Sequence, residues 1–359
     1  MYSPRFKFLA LLLSAGLFLT ACDKDDEKEP LSAEEAQDAM ASIDSELANE
    51  LEDLANAEGF KALQTLGGLS GAGDPFPLGR VKEARKNPNY HVRKAVNSLQ
   101  YIINGATQHA RTQGDEPFNY TQNKGVYEWN ATQQTFVKTG SSNIIEIRFP
   151  TEGSTTNDAI FRLTDYAEVA TPLGDEAYSA TVIEATLDID NVKQASLSVE
   201  VEYRGDGTDE PKFADITYFV NPYTIDVDLD DRSASTTSFS QRLSKSGDNL
   251  IGWSLTATYQ GAKLEENISK LRGTFELGTL VFTIEIEAPT DPNQAGDLND
   301  FVQISITLDG QEVGDIIWVS DSTTGEPIPY VKYTDGSKEP LADIFESLGA
   351  TLNELALIG

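Results

Sequence analysis

The chain has 359 residues, 58 acidic and 27 basic, for a formal net charge of −31. That sign excludes a nucleic-acid binder, because neutralising phosphates needs a basic face. One cysteine and two histidines leave no disulfide and little for a metal or redox centre, and no cofactor is expected. With 39% hydrophobic and 24% charged residues the chain has the composition of a folded protein.

Arg5 and Lys7 precede an apolar run at 8–19, interrupted only by Ser14 and Gly16. A helix crossing a ~30 Å hydrocarbon core needs about 20 residues, so this run is too short to span and suits a signal-peptide core. Leu19-Thr20-Ala21-Cys22 follows, and it resembles the lipobox of bacterial lipoproteins. The resemblance implies cleavage after residue 21, with Cys22 acylated on its sulfur and its new amine by chains such as palmitate. Several chains anchor stably where one binds only marginally. The mature chain then carries 25 basic and 58 acidic residues, net −33 over 338.

Asp23-Lys24-Asp25-Asp26-Glu27-Lys28-Glu29-Pro30 comes next, an acidic tether over 22–31. A lysine and two acids one position beyond the lipidated cysteine resemble the signal that exports some Gram-negative lipoproteins to the outer face of the outer membrane. A competing rule reads Asp directly after the cysteine as inner-membrane retention. Asp23, Lys24, Asp25 and Asp26 match the export rule more closely. The expected location is therefore the outer membrane, lipid-anchored and facing the exterior.

Residues 32–359 are expected to form one α+β domain: helical over 32–113, an antiparallel sheet over 117–333, and a C-terminal helix at 340–357. Ser32-Ala33-Glu34-Glu35 reads as a capping box opening a helix to about residue 57. Its apolar stripe is Ala36, Met40, Ile43, Leu47, Leu51 and Leu54. Gly59 is expected to end it. A short helix at 60–66 should break at Gly67-Gly68. Asn89 caps a further helix to about 111, with Val92, Ala95, Val96, Leu99, Ile102, Ile103 and Ala106 on one face. His91 and His109, 18 residues apart, are about 27 Å apart on a helix and cannot share a metal.

From about 118 to 331 the hydrophobic period is two. Leu197, Val199 and Val201 alternate with Ser198, Glu200 and Glu202; Leu280, Phe282, Ile284 and Ile286 alternate with Val281, Thr283 and Glu285. In Tyr223–Leu229 the apolar set Tyr223, Ile225, Val227 and Leu229 is expected inward, and Asp226, Asp228 and Asp230 toward water. Asp309-Gly310 is a type I′ hairpin signal. About twelve strands result, in a long curved antiparallel meander packed on the N- and C-terminal amphipathic helices; a two-sheet sandwich beside a helical piece is the alternative. The C-terminal stripe is Leu341, Ile344, Phe345, Leu348, Leu352 and Leu355. Gly125-Val126-Tyr127-Glu128-Trp129-Asn130, Ile147-Arg148-Phe149-Pro150 and Asn221-Pro222-Tyr223 resemble segments of uncharacterised β-rich Gram-negative surface lipoproteins. That resemblance covers about 120–290 and implies architecture and location, with no activity.

Candidate chemistry is sparse. Asp188 and Asp190, Glu200 and Glu202, Asp226, Asp228 and Asp230, and Glu285 and Glu287 form acidic ladders on sheet faces. Paired carboxylates hydrolyse glycosides at about 5–9.5 Å separation, but nothing in the pattern marks a special pair. Asp291, Asn293, Asp297 and Asp300, with Gly296, are weak calcium ligands; Ala295 and Val302 stand where an EF-hand loop needs oxygen donors. Ser70 misses the nucleophile-elbow spacing by one residue. Trp253 falls on an apolar face, Trp318 on the opposite register from Ile317 and Val319 and so toward solvent, and Trp129 is ambiguous. The expected protein is a non-enzymatic, lipid-anchored envelope protein binding an unidentified partner through its sheet. The alternatives are an apolar-ligand carrier and, weakly, a degradative enzyme.

Overall fold

The computed structural model describes residues 30–70, 117–174, 177–264, 267–288, 297–320 and 327–345. Cys22, Asp23, Lys24, Asp25, Asp26, the expected helix at 90–111 with both histidines, Asp291, Asn293 and the chain beyond Phe345 lie outside the described residues. The described chain forms two compact units. One holds residues up to Asn49 and from Val227 onward, the other Glu50–Asp226.

Helix α1 is Ala33–Ala55. The Ser32 hydroxyl donates to Glu35 at 2.6 Å and accepts from the Glu35 amide at 3.3 Å, while the Ser32 amide donates to the same carboxylate at 3.2 Å. The capping box therefore closes, and the serine hydroxyl holds the Glu35 carboxyl below its ordinary range. The buried stripe is Ala36, Met40, Asp44, Leu47, Leu51 and Leu54. Asp44 takes the place expected of Ile43, which is half-buried.

Helix α2, Glu58–Ser70, differs from expectation at both glycine sites. The break after α1 comes at Asn56 and Ala57, and Gly59 lies inside α2. A Cβ on Gly59 would sit 2.6 Å from the Gln194 carbonyl, so this glycine is a point of close approach, not a stop. The helix also runs through Gly67-Gly68. Each glycine costs a helix roughly 1 kcal/mol, but burying Phe60, Leu63 and Leu66 is worth about 1.5–3 kcal/mol apiece.

Helix α3, Tyr120–Asn123, leads into the second unit's strands β1 (Gly125–Asn130), β2 (Thr135–Gly140), β3 (Ile145–Phe149), β4 (Ala159–Ala170), β5 (Tyr178–Ile189), β6 (Val192–Tyr203) and β7 (Pro211–Val220). Strand β8, Tyr223–Asp230, contains the boundary. The first unit continues with β9 (Thr236–Lys245), β10 (Asp248–Tyr259), β11 (Ile268–Leu277), β12 (Leu280–Glu287), a 3₁₀ turn (Leu298–Asp300), β13 (Val302–Leu308), β14 (Gln311–Ser320), β15 (Pro327–Tyr333), β16 (Lys338–Pro340) and helix α4 (Leu341–Ile344).

Sixteen strands stand where periodicity counted about twelve, because very short strands such as β16 carry too few residues to show a period. Their hydrogen-bonded order follows the sequence except at one end, where β1 lies between β3 and β2. The sheet is open and mixed: β1 pairs with β3 in parallel, from Gly125↔Ile145 to Glu128↔Arg148, against the expected all-antiparallel meander. The β1–β2 hairpin supplies the crossover that a parallel pair requires.

In the second unit the inward face is Ile145, Ile147 and Phe149, then Phe161 and Leu163, then Leu187, Leu197, Val199 and Ile216, all buried. Helix α2 packs on β6, β7 and β2, with the Phe60 and Tyr218 rings 5.7 Å apart. Burial drives the Tyr218 hydroxyl's pKa far above its ordinary value. In the first unit the apolar set is Leu280, Phe282, Ile284, Val302, Ile304, Ile306, Val313 and Val331. The Leu31 amide donates to the Glu312 carbonyl and Gln37 donates to Glu339 at 2.8 Å, tying the chain before and within α1 to β14 and β16.

Among the sheet's register shifts, one in each unit resets the alternation of buried residues. Register slips between Leu163 and Asp165, so Leu163 and Tyr166 both point inward. A second slip, at Ile306/Thr307 opposite Gly314, leaves Val313 and Ile316 both buried. Just beyond the second bulge Ile316 is buried and Asp315 exposed. Asp309 and Gly310 have φ of 49° and 76°, as a type I′ turn requires.

Candidate functional site

Two rows of side chains are the most organised surfaces among the described residues. The first belongs to the first unit. Direct cross-strand partners share a face, and Gln241, Trp253, Phe275, Phe282 and Ile306 are consecutive partners from β9 to β13. Phe239, opposite Leu255, adds a ring 4.5 Å from Trp253. Phe275 and Phe282 lie 5.8 Å apart, and Phe345, just past α4, lies 5.9 Å from Phe282. Aromatic and β-branched residues favour these strands because their bulk packs across the pleat. Phe282 is buried, whereas Phe275, Trp253, Leu255 and Phe239 are only half-buried.

The opposite face of the same strands is polar. Ser240, Ser254, Thr274, Thr283, Ser305 and Asp315 are partners straight across β9–β14. Beside them Lys270 bridges Glu285 and Glu287, and Arg272 donates to Glu285 at 2.8 Å. These cations hold the Glu285 carboxyl below its usual range, and the hydrogen-bonded carboxylates raise Lys270 above its own.

The second row is ionic and belongs to the second unit. It runs Glu128, Arg148, Glu146, Arg162, Asp188 across β1, β3, β4 and β5. Arg148 reaches Glu128 at 3.1 Å and Glu146 at 2.7 Å, and Arg162 reaches Glu146 at 3.2 Å and Asp188. Hydrogen bonding to Glu146 raises Arg148 further above its high ordinary value. Arg148 and Glu128 keep 41% and 37% of their side-chain surface, so each such pair is worth about 0–1 kcal/mol. This row orders the sheet surface; the apolar face beneath it supplies the stability.

The acidic ladders are accounted for in the same way. Asp226 accepts from Thr217 at 3.0 Å, Asp228 from Ser240 at 3.0 Å, and Asp230 pairs with Arg232 at 2.8 Å, which lowers its pKa to about 2. Glu202 pairs with Lys212 at 2.6 Å. Asp190 has φ of 49° in the β5–β6 turn and does not share a face with Asp188. In β8 only Tyr223 is fully buried, and Ile225, Val227 and Leu229 are half-buried where full burial was expected. Asp228 faces water, whereas Asp226 and Asp230 are half-buried.

Of the calcium candidates, Asp297 and Asp300 are described. Asp297 accepts from the Asn299 amide at 3.1 Å, and Asp300 accepts from the Asp297 amide at 3.1 Å, so the two cap the 3₁₀ turn. Among the described residues no group of three or more His, Cys, Asp and Glu lies close enough to hold a metal ion. Asn299 grips the Trp318 backbone, accepting from its amide at 2.9 Å and donating to its carbonyl at 3.0 Å. The Gly314 bulge puts Trp318 in phase with inward Ile316, contrary to the solvent-facing expectation. Its ring N–H is buried, with no hydrogen-bond partner among the described residues. Trp129 packs edge-on against Phe136 at 5.2 Å.

Sequence reading missed the parallel pair, the bulges and the ionic row. Arg148 and Glu146 are neighbours on β3, but Glu128, Arg162 and Asp188 come from β1, β4 and β5, so only strand pairing brings the whole row together. No helix among the described residues is long and apolar enough to cross a membrane. Comparison with protein families, with characterised proteins and with solved structures finds no match to this chain.

Proposed function

We propose that the protein is a non-enzymatic, lipid-anchored envelope protein, held in the outer membrane facing the exterior, that binds a partner through its sheet. The observation that carries this reading is the placement of Cys22. The chain's one cysteine stands directly after a charged and apolar leader, at the one position a lipid anchor needs. Two further features support it. The tether Asp23–Asp26 carries the lysine–acid pattern of surface export, and a wide open sheet offers one polar and one aromatic row to a partner. Carboxylates of the ladders are engaged by Arg, Lys, Thr and Ser neighbours, as suits a solvated face.

Cys22→Ala tests the anchor. The variant is expected to leave the membrane pellet or to accumulate as an unprocessed precursor, while wild type stays in the pellet with an acylated N-terminal cysteine in its mass spectrum. A variant as firmly membrane-bound as wild type, with Cys22 unmodified in both, contradicts the reading.

A further inference from the structure

We propose that the first unit stands on the membrane by one end: the tight turns after β9, β11, β13 and β15 face the lipid, and the long connections at the other strand ends point away from it. The inference rests on the lipid anchor at Cys22 and adds an orientation to it. Antiparallel neighbours turn alternately at opposite ends of a sheet, and here the two ends differ. One end carries 246–247, 278–279, 309–310 and 334–337, turns of two to four residues. The other carries 231–235, 260–267, 288–301 and 321–326, connections of five to fourteen residues.

The tether leaves from the tight-turn end. The Leu31 amide donates to the Glu312 carbonyl at 3.0 Å, and the Thr334 hydroxyl donates to the Leu31 carbonyl at 3.1 Å. Glu312 lies just past the 309–310 turn, and Thr334 opens the turn after β15. Leu31 is nine residues from Cys22, a reach of at most about 30 Å. The ten residues of β11 hold the two ends about 33 Å apart. A lipid at Cys22 therefore keeps the tight turns near the bilayer, while the long connections have room to stand clear of it. Lying flat would need a large apolar face or an excess of basic residues against the lipid. The chain is net −31. Among the described residues the first unit exposes one large apolar side chain, Leu264, and it lies in the 260–267 connection. The orientation sets which end of the unit a macromolecule in the medium meets first.

The test uses the acylated full chain, extracted from cell membranes in detergent and reconstituted into phosphatidylcholine vesicles whose headgroups carry an energy-transfer acceptor. With Cys22 acylated, an introduced cysteine is the one thiol left to take a donor dye. Thr279→Cys labels the tight-turn end of β11 and Ala262→Cys its far end, and both positions are exposed. The donor at position 279 is expected to lose most of its emission to the lipid acceptor. The donor at position 262 is expected to keep most of the emission it has in acceptor-free vesicles. Asp248→Cys and Ala234→Cys, a second exposed pair at the two ends, are expected to repeat the contrast. Equal transfer within both pairs, as from a unit lying flat, or greater transfer from 262 and 234, overturns the orientation and leaves the anchor intact. Wild-type protein that does not float with the vesicles overturns the anchor and the orientation together.

Discussion

Gly314→Ala is expected to destabilise the protein by about 2–4 kcal/mol, among the larger effects of any single substitution. Gly314 has φ of +149°, and a Cβ there would meet the Lys332 carbonyl oxygen at 2.1 Å and the Tyr333 Cα at 3.0 Å. Both contacts are backbone on the paired strand β15, so no side chain can swing away. The strands must part, or the bulge must move. Moving the bulge would shift the phase that buries Val313 and Ile316 together, at 0% and 5% exposure. Gly68→Ala is the control. Gly68 lies in α2, a Cβ there has nothing within 4 Å, and alanine is expected to add about 0.5–1 kcal/mol. Urea midpoints of the two variants check both signs. A Gly314→Ala midpoint equal to wild type would mean that β14 and β15 are not paired in this register.

Ile147→Ala is expected to cost about 2–5 kcal/mol, with Asp228→Ser within about 0.5 kcal/mol of wild type. Ile147 is 0% exposed and lies between Tyr127 of β1 and Phe161 of β4, its direct partners, which are 4% and 2% exposed. Truncation leaves a cavity that these two rings, fixed by strand pairing, cannot fill. Asp228 is exposed and its one described contact is with Ser240, so its removal exchanges one solvated hydrogen bond for another. Thermal or urea unfolding should rank the pair clearly. The reverse order would contradict a buried face at Ile147 in the second unit and a wet face at Asp228 in the first.

Much of this fold is legible because the signals are local. Ser32 and Glu35 sit three apart and cap α1; Asp309-Gly310 carries the positive φ angles of its turn; Leu280 to Ile286 alternates as the sheet does. The misreadings have a common cause in non-local packing. A glycine pair looks like a helix end until the burial of Leu63 and Leu66 outweighs it. Trp318 looks solvent-facing because strict alternation runs through Val313, and only the bulge at Gly314 reverses it. The parallel β1–β3 pair leaves no trace in either strand, since Gly125–Asn130 has the same composition whichever neighbour it bonds. The same limit applies to the aromatic row. Trp253 reads as core from its register, yet it is only half-buried, because how deeply it is buried depends on what lies above the sheet. The ionic row was invisible for a similar reason: Glu146 and Arg162 are 16 residues apart and meet only across β3 and β4.

Protease treatment of intact cells tests surface anchoring most directly. Wild type is expected to be degraded by protease added outside, because the sheet would be tethered at the outer face through Cys22. Replacing Lys24, Asp25 and Asp26 together by Ala is expected to leave the protein acylated and membrane-bound but protected. A wild-type protein that resists the protease in intact cells, and is cleaved only once the outer membrane is opened, would contradict the surface assignment.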